Sequence, residues 1–517
     1  MKTKQKIGKS FINSKARPDG RGGLMNLAKI SSKKNPLLSA MVKEDNKTLT
    51  ENGAQTFKSS LNALVDLFGM GAALRNRPDN EVIELFIKAF AEDRLLAMKL
   101  LFNIRNIRGG AGERKVFRTI LKWLFKNHSE VILKNIGNIP YFGRFDDLYE
   151  AFDSSPLAEK NVLAFVQTQI EEDIKNYEND KPISLLPKWL PSENTSSLQT
   201  RALGRKIREY LGWTPKQYRK TLSVLREYLN VIEQKMSAGD WPSIDFEKVP
   251  SKASLLYRKA FGKHEPERYT AFIEAVKKGE KKINASALFP YEIIEKILYG
   301  GADEQTMDVL WDALPDYIED KGRNILAVAD CSGSMNGRPK AVSISLALLT
   351  AERNQGPFAG HFITYSERPR LQKIVGNGIR EKMRCVEKCN AMNTNLQAVF
   401  QMILKTALEN HIQQKDMPAQ IILITDCEFD NPQNGGTNLE AIRIQYKEAG
   451  YEMAQLVFWN ANSKQNNVAA QANEKGVLLV SGASPSVFKT LLSGKQYTPQ
   501  DQMLETLSQA IYDRVVI

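Results

Sequence analysis

The chain has 517 residues with 72 Lys and Arg against 59 Asp and Glu, a formal charge of +13, and that length is too great for one hydrophobic core, so at least two domains are expected. Its 42% hydrophobic and 25% charged residues exclude a mainly disordered chain, and no apolar run reaches the roughly 18 to 20 residues that cross a bilayer. Four cysteines exclude a disulfide scaffold and point to a reducing, cytoplasmic setting, and the basic first residues lack the apolar stretch of a secretory signal.

Residues 1–35 are rich in Lys, Gly and Ser with few apolar positions, which predicts a mobile basic leader. From about residue 50 to 300 the pattern is helical. Phe117, Ile120, Leu121, Leu124 and Phe125 are spaced as one buried helix face, and Tyr218, Leu222, Leu225, Leu229, Ile232 and Met236 repeat the idea. Breaks at residues 108–112, 182–191 and 239–242 separate such segments. Short joints between many helices predict stacked pairs of the HEAT kind over residues 36–322, although no clean repeat period emerges.

Near residue 323 the periodicity changes. NILAVA (324–329), HFITY (361–365), LQKIV (371–375), IILIT (421–425), AQLVFW (454–459) and VLLV (477–480) read as strands. Helical stretches at about 341–352, 396–409, 438–449 and 498–512 alternate with them, which predicts an α/β doubly wound, Rossmann-like sheet over 323–517, with only the 362–375 hairpin antiparallel. The fold class is therefore multidomain: an all-α helical repeat domain followed by an α/β domain. Charge divides the same way. Residues 1–300 hold 51 Lys and Arg against 35 Asp and Glu, a balance of +16, and residues 301–517 hold 21 against 24, or −3. A bound polyanion belongs on the N-terminal two thirds, although a basic balance also serves solubility alone.

At the end of the first predicted strand stands Asp330-Cys331-Ser332-Gly333-Ser334. This Asp-x-Ser-x-Ser run has the form of a metal-ion-dependent adhesion site, and residues 323–517 resemble a von Willebrand factor A domain. Thr394, just ahead of a helix, and Asp426, ending the IILIT strand, follow in the expected order. A hard dication such as Mg²⁺ takes about six oxygens. The resemblance implies that Ser332, Ser334 and Thr394 supply hydroxyls while Asp330 and Asp426 hold metal-bound waters. With few anions touching it, the metal stays electrophilic and can take a carboxylate from a protein partner. The competing reading is that Ser-Gly-Ser after Asp is also good turn and cap chemistry.

Asp426, Glu428 and Asp430 alternate, which suggests either a second metal or a solvated acidic loop, and the loop is the favoured reading; Cys331 and Cys427 read as small buried residues. Cys385 and Cys389 lack a second pair at zinc spacing, no nucleophile motif surrounds the four histidines, and the RGGAGER stretch lacks the Gly-Lys-Ser/Thr ending of a phosphate loop. The expectation is a non-catalytic protein. Metal-assisted phosphodiester hydrolysis would need a poised base beside the metal, and the sequence shows none.

The segments LLAMKLLFNIRNIRGGAGERKVF (95–117), YFGRFDDLYE (141–150), PKWLPSEN (187–194), YRKTLSVLREYL (218–229) and VPSKASLLYRKAF (249–261) resemble, in this order, the TROVE family of Ro ribonucleoproteins, and more closely a sister branch of it. The resemblance spans residues 36–517. It implies helical repeats closing into a positively lined ring that holds single-stranded or structured RNA, with the A domain completing the circle. Two basic stripes are the candidates for RNA: Lys115, Arg118, Lys122 and Lys126, and Arg201, Arg205 and Arg208. Such faces are also often basic for solubility alone. Arg105, Arg108, Arg114 and Arg144, near Asp146 and Asp147, read instead as internal ion pairs, with the partner of Asp147 open. Trp189, Trp213 and Trp241 read as packing anchors. The leading reading is an RNA-binding scaffold. The second is a protein-interaction module whose metal captures an acidic residue of a partner.

Overall fold

In the computed structural model, residues 41–42, 45–301, 303–318, 322, 324–365, 368–387, 394–431, 437–488 and 497–517 are described. The expected basic leader at 1–35 and Cys389 lie outside them. Two units are distinguished, Met1–Lys47 and Thr48–Ile517, and the second carries the six-stranded sheet and the helices packed on it.

The helices of eight residues or more in the N-terminal part are α1 Ala63–Met70, α2 Asp79–Glu92, α3 Arg94–Arg105, α4 Lys115–Asn127, α5 Pro156–Glu178, α6 Leu198–Tyr210, α7 Pro215–Tyr228, α8 Ser251–His264, α9 Pro266–Lys277, α10 Pro290–Tyr299 and α11 Glu304–Asp312. Their starts carry local signals. Asn62 caps α1 by accepting from the Val65 amide, and Thr214 with Gln217 closes a reciprocal capping box on α7. On α4, the five apolar positions read from the spacing are all buried.

A short strand β1, Gln55–Phe57, precedes these helices. The six-stranded sheet is built from β2 Ile325–Ala329, β3 His361–Thr364, β4 Leu371–Lys373, β5 Gln420–Thr425, β6 Gln455–Asn460 and β7 Val477–Ser481. Its order is β4-β3-β2-β5-β6-β7. Every neighbouring pair is parallel except β3 and β4, which are antiparallel, as the sequence predicts. The helices between and after them are α12 Arg338–Arg353, α13 Ile379–Glu387, α14 Leu396–Glu409, α15 Asn438–Glu448 and α16 Pro499–Leu507.

Alternation along the strands decides how the layers pack. Successive side chains of a strand point to opposite faces. Leu326 and Val328 of β2, Ile421 and Leu423 of β5, Leu456 and Phe458 of β6, and Val477 and Leu479 of β7 join one buried cluster. Their neighbours Ala327, Ile422, Val457 and Leu478 join the other. The first cluster takes in α14, α15, α16 and the core residues of α1 to α7. The second takes in α12, α13 and the core residues from Ile232 through α11. The N-terminal helices therefore do not stand apart from the sheet: α1 packs against β7 in the first cluster, and α10 packs on α12, which itself lies on the sheet, in the second, with the chain passing from one cluster to the other between Leu225 and Ile232. Both faces being covered explains why the central strands are continuous apolar runs.

A buried ion network fixes one joint of the helical part. The Asp147 carboxylate, fully buried, accepts from Arg105 Nε at 2.8 Å, Arg118 Nε at 2.6 Å and the Arg144 amide at 3.0 Å. The open partner of Asp147 is thus two arginines. Gly110 sits where a Cβ would lie 2.1 Å from the Asn103 carbonyl oxygen, so the turn after α3 requires glycine.

The last residues return to the helices. Tyr512 Oη accepts from Asn103 Nδ2 at 2.8 Å and Asn106 Nδ2 at 3.1 Å, and its ring stacks on Phe142. Asn135 exchanges two hydrogen bonds with the backbone of Val516. Among the described residues no helix is long and apolar enough to cross a membrane.

Candidate functional site

The order β4-β3-β2-β5-β6-β7 reverses direction between β2 and β5, and the helices that follow these two strands, α12 and α15, lie in opposite buried clusters. Such a reversal, at the carboxyl ends of the two strands, is the usual ligand position of these sheets. Asp330 and Asp426 are the first residues beyond β2 and β5, whose register pairs Ala329 with Ile424. Strand pairing thus brings two residues 96 positions apart in the sequence to one edge.

Asp330 is fully buried and Asp426 is 1% exposed. Asp330 Oδ1 accepts from the Ser332 amide at 2.9 Å and Oδ2 from Thr425 Oγ1 at 2.8 Å. Burial, and then the Asp426 charge beside it, push the Asp330 carboxyl up to about 6. Ser332 Oγ and Ser334 Oγ stand 2.9 Å apart in one hydrogen bond. Thr394 is buried, and its carbonyl accepts from the Asp430 amide at 3.1 Å, which ties it to the loop after β5. Asp426 Oδ2 is buried and accepts no hydrogen bond.

Two adjacent buried carboxylates, one oxygen of which accepts no hydrogen bond, with two touching hydroxyls beside them, form a set of hard oxygens faced by the ammonium of Lys464, 3.7 Å from Asp426 Oδ2. This donor chemistry fits a hard dication of the Mg²⁺ kind. Ser332, Ser334, Thr394, Asp330 and Asp426 are the residues that would hold it.

In the acidic loop that follows, Asp426 and Glu428 are not solvated, contrary to the sequence reading, while Asp430 is partly exposed. Glu428 is 2% exposed, because the arm of residues 50–57 lies along the loop. Glu428 Oε2 accepts from the Glu51 amide at 2.5 Å and Oε1 from Asn467 Nδ2 at 3.2 Å. Thr50 Oγ1 donates to the Phe429 carbonyl at 2.6 Å and Asn52 Nδ2 to the Glu428 carbonyl at 2.7 Å. Isolated bridges continue the contact, Gly53 to Asp430, Gln55 to Thr437 and Phe57 to Val468. Lys464 Nζ lies 3.7 Å from Asp426 Oδ2 and 3.1 Å from Glu51 Oε2. Sequence reasoning missed Glu51, Lys464 and Asn467. None falls in a motif, and only tertiary packing brings them to the site. Cys331 and Cys427 are buried there, as expected of small residues.

The basic stripes separate into two kinds. Arg118 ion-pairs with Asp146 and Asp147, and Arg208 with Glu193 and Glu209, so both fix the architecture. Lys115 Nζ donates to the Arg75 carbonyl. Lys122, Lys126, Arg201 and Arg205 are exposed and enter none of the ion pairs among the described residues. Lys216, Arg219 and Lys220 on α7 share that condition and belong to neither of the two stripes read from the sequence. They alternate with the buried Tyr218 and Leu222, which is the signal that would have found them. From Leu198 to Tyr228 the chain holds eight Lys and Arg against two Glu, a net of +6. A cleft of about 990 Å³ adjoins these helices, lined among others by Lys188, Trp189, Thr200, Arg226 and Lys235.

Comparison with known proteins divides the chain at the same place as its periodicity. Residues 50–144 and 195–323 match a domain of unknown function (DUF2828), and residues 324–513 match another (DUF7788). Neither match reaches half of the chain. Over 511 residues the chain is 29% identical to "Uncharacterized protein L728" of Acanthamoeba polyphaga mimivirus, an alignment that covers 91% of this chain and 89% of that protein. Among solved structures it is similar to the crystal structure of Deinococcus radiodurans RO (RSR) protein, with a TM-score of 0.36 and 12% identity over 85% of this chain and 93% of that one.

Proposed function

We propose that the protein is an RNA-binding scaffold of the Ro type, whose helical part is HEAT-like and tracks phosphates, and whose sheet part is a von Willebrand factor A domain with a divalent-metal site. The observation that carries the RNA reading is the exposed cationic surface of α6 and α7. Arg201, Arg205, Lys216, Arg219 and Lys220 are available there because acidic neighbours are few, and Glu193 and Glu209 are already paired with Arg208. Each phosphate neutralised by such a residue releases counterions, which is the main source of affinity for a nucleic-acid backbone. Hydroxyl and amide groups in the adjoining cleft can meet sugar and base edges, and Trp189 offers a ring, although Arg144 already stacks on it at 4.2 Å.

In the metal reading, Ser332, Ser334 and Thr394 offer direct hydroxyl ligands, and Asp330 and Asp426 balance the charge. A dication bound there supplies a Lewis-acidic coordination position. The residues themselves hold Asp330 in place at the end of β2, through the Thr425 and Ser332 bonds to its carboxylate.

The test of the RNA reading is a gel-shift titration with single-stranded and hairpin RNA, comparing the wild type with a variant in which Arg201, Arg205, Lys216, Arg219 and Lys220 are all changed to Ala. The expected result is binding by the wild type and a loss on the order of 100-fold or more in the variant, from about five phosphate contacts. Equal binding by the two proteins would refute the assignment to this surface, and no binding by the wild type at about 50 mM salt would refute the RNA reading itself.

A further inference from the structure

A positive charge stands at the carboxyl edge, Lys464. It lies four residues beyond β6, with its side chain 29% exposed, and its ammonium faces the Asp426 oxygen that accepts no hydrogen bond. On its other side it meets Glu51, at the tip of the arm. The result is an unbroken line of carboxylate, ammonium and carboxylate from Glu51 through Lys464 to Asp426. The arm tip has three further anchors, all on the loop after β5: the Thr50, Glu51 and Asn52 bonds to Phe429 and Glu428. Every one of them touches the loop that begins with Asp426.

We infer that Lys464 is a tethered cation that competes with a dication for Asp426, so that loading the metal site withdraws Lys464 and loosens the Glu51 tip of the arm. This rests on the metal reading of the site. The argument is electrostatic and steric. A dication held by Asp330, Asp426 and the two serines would lie within a few ångströms of the ammonium, and repulsion at that range exceeds thermal energy severalfold even at protein-like screening. Lys464 is a flexible, partly exposed chain and can withdraw, whereas both aspartates are fixed at strand ends. Once it leaves Asp426, Glu51 loses the counter-charge that holds it over the loop, beside Glu428. Thermodynamic reciprocity makes the coupling measurable from both ends: the factor by which metal favours opening of the arm is the factor by which an open arm favours the metal.

The experiment uses Mn²⁺ as the probe on the full chain, with titration calorimetry for affinity and hydrogen exchange at the amides of residues 50–57 for the arm. The variants are K464M, which keeps the apolar stem, and D330A. K464M is expected to bind Mn²⁺ about 10-fold more tightly, in the usual range of coupling between sites. Saturating Mn²⁺ is expected to speed exchange at the wild-type arm by a similar factor and to leave the K464M arm unchanged. Tighter binding by K464M with the wild-type arm unaffected by Mn²⁺ would mean simple repulsion without displacement and would overturn the inference. So would equal affinities, or an arm that gains protection on loading. Mn²⁺ binding that D330A abolishes, with those results, leaves the metal reading standing while this inference falls. A wild type and K464M that both take no Mn²⁺ bring down the two together.

Discussion

Replacing Asp330 by Asn removes a charge from the most enclosed position of the candidate metal site while keeping its shape. In the folded chain the carboxyl is raised from 3.8 to about 6, by burial and by the neighbouring Asp426 charge. Two pKa units correspond to about 3 kcal/mol of differential interaction. The folded state binds this proton more tightly than the unfolded state, so stability falls as pH rises from the unfolded value through about 6, and the full penalty is present above that. Asn carries no such penalty. Its Oδ1 can still accept from the Ser332 amide, and the Thr425 hydroxyl can turn to accept from Nδ2. D330N is therefore expected to be more stable than the wild type at about pH 7.5 in the presence of a chelator, by about 1 to 3 kcal/mol. The gain should shrink toward zero as pH falls to about 4, and it should shrink at the higher pH when Mg²⁺ is added, since a dication stabilises only the carboxylate. Urea unfolding followed by tryptophan fluorescence at the two pH values, with chelator and with Mg²⁺, measures all three. A D330N chain less stable than the wild type at the higher pH, or a gain equally large at both pH values, would refute the reasoning.

Two further perturbations concern how the helices hold the sheet. Asp147→Ala leaves Arg105, 2% exposed, as an uncompensated buried charge and is expected to cost about 3 to 5 kcal/mol by the same urea titration; replacing Arg105 and Asp147 together by Met and Leu should cost much less. Tyr512→Phe removes the acceptor shared by the Asn103 and Asn106 amides and should cost about 1 to 3 kcal/mol, with hydrogen exchange rising first at the C-terminal residues.

The strands were readable to within a residue or two because all but the edge strand β4 are short, mainly apolar runs, and the two Asp positions follow directly from where β2 and β5 end. α4 was equally readable, since its apolar spacing decides which face is buried; on α7 the spacing holds for Tyr218, Leu222 and Leu225 but continues in the sequence to Met236, whereas the helix ends at Tyr228 and Ile232 begins a separate helix in the other buried cluster. What could not be read was which acids meet which bases. Arg118 belongs by spacing to a solvent-facing stripe, yet Asp147, 29 residues later, draws it into an internal pair. Glu428 looked solvated because its cover comes from residues 50–52, more than 370 positions earlier. Lys464 carries no pattern at all; its place is set by the end of β6 and by the arm. The division of the N-terminal helices between the two buried clusters was likewise hidden, because periodicity shows that a face is buried and not what it is buried against.

The central claim is that α6 and α7 bind an RNA backbone through charge. The most direct test is the slope of log affinity against log salt for a single-stranded RNA, measured between about 50 and 200 mM salt for the wild type and for Arg201→Ala/Arg205→Ala. About five phosphate contacts at about 0.7 each give an expected slope near −3 to −4, and the double variant should be shallower by about 1 to 2 with weaker binding across all sequences. An affinity that does not change with salt, or a double variant with the wild-type slope, would contradict the account.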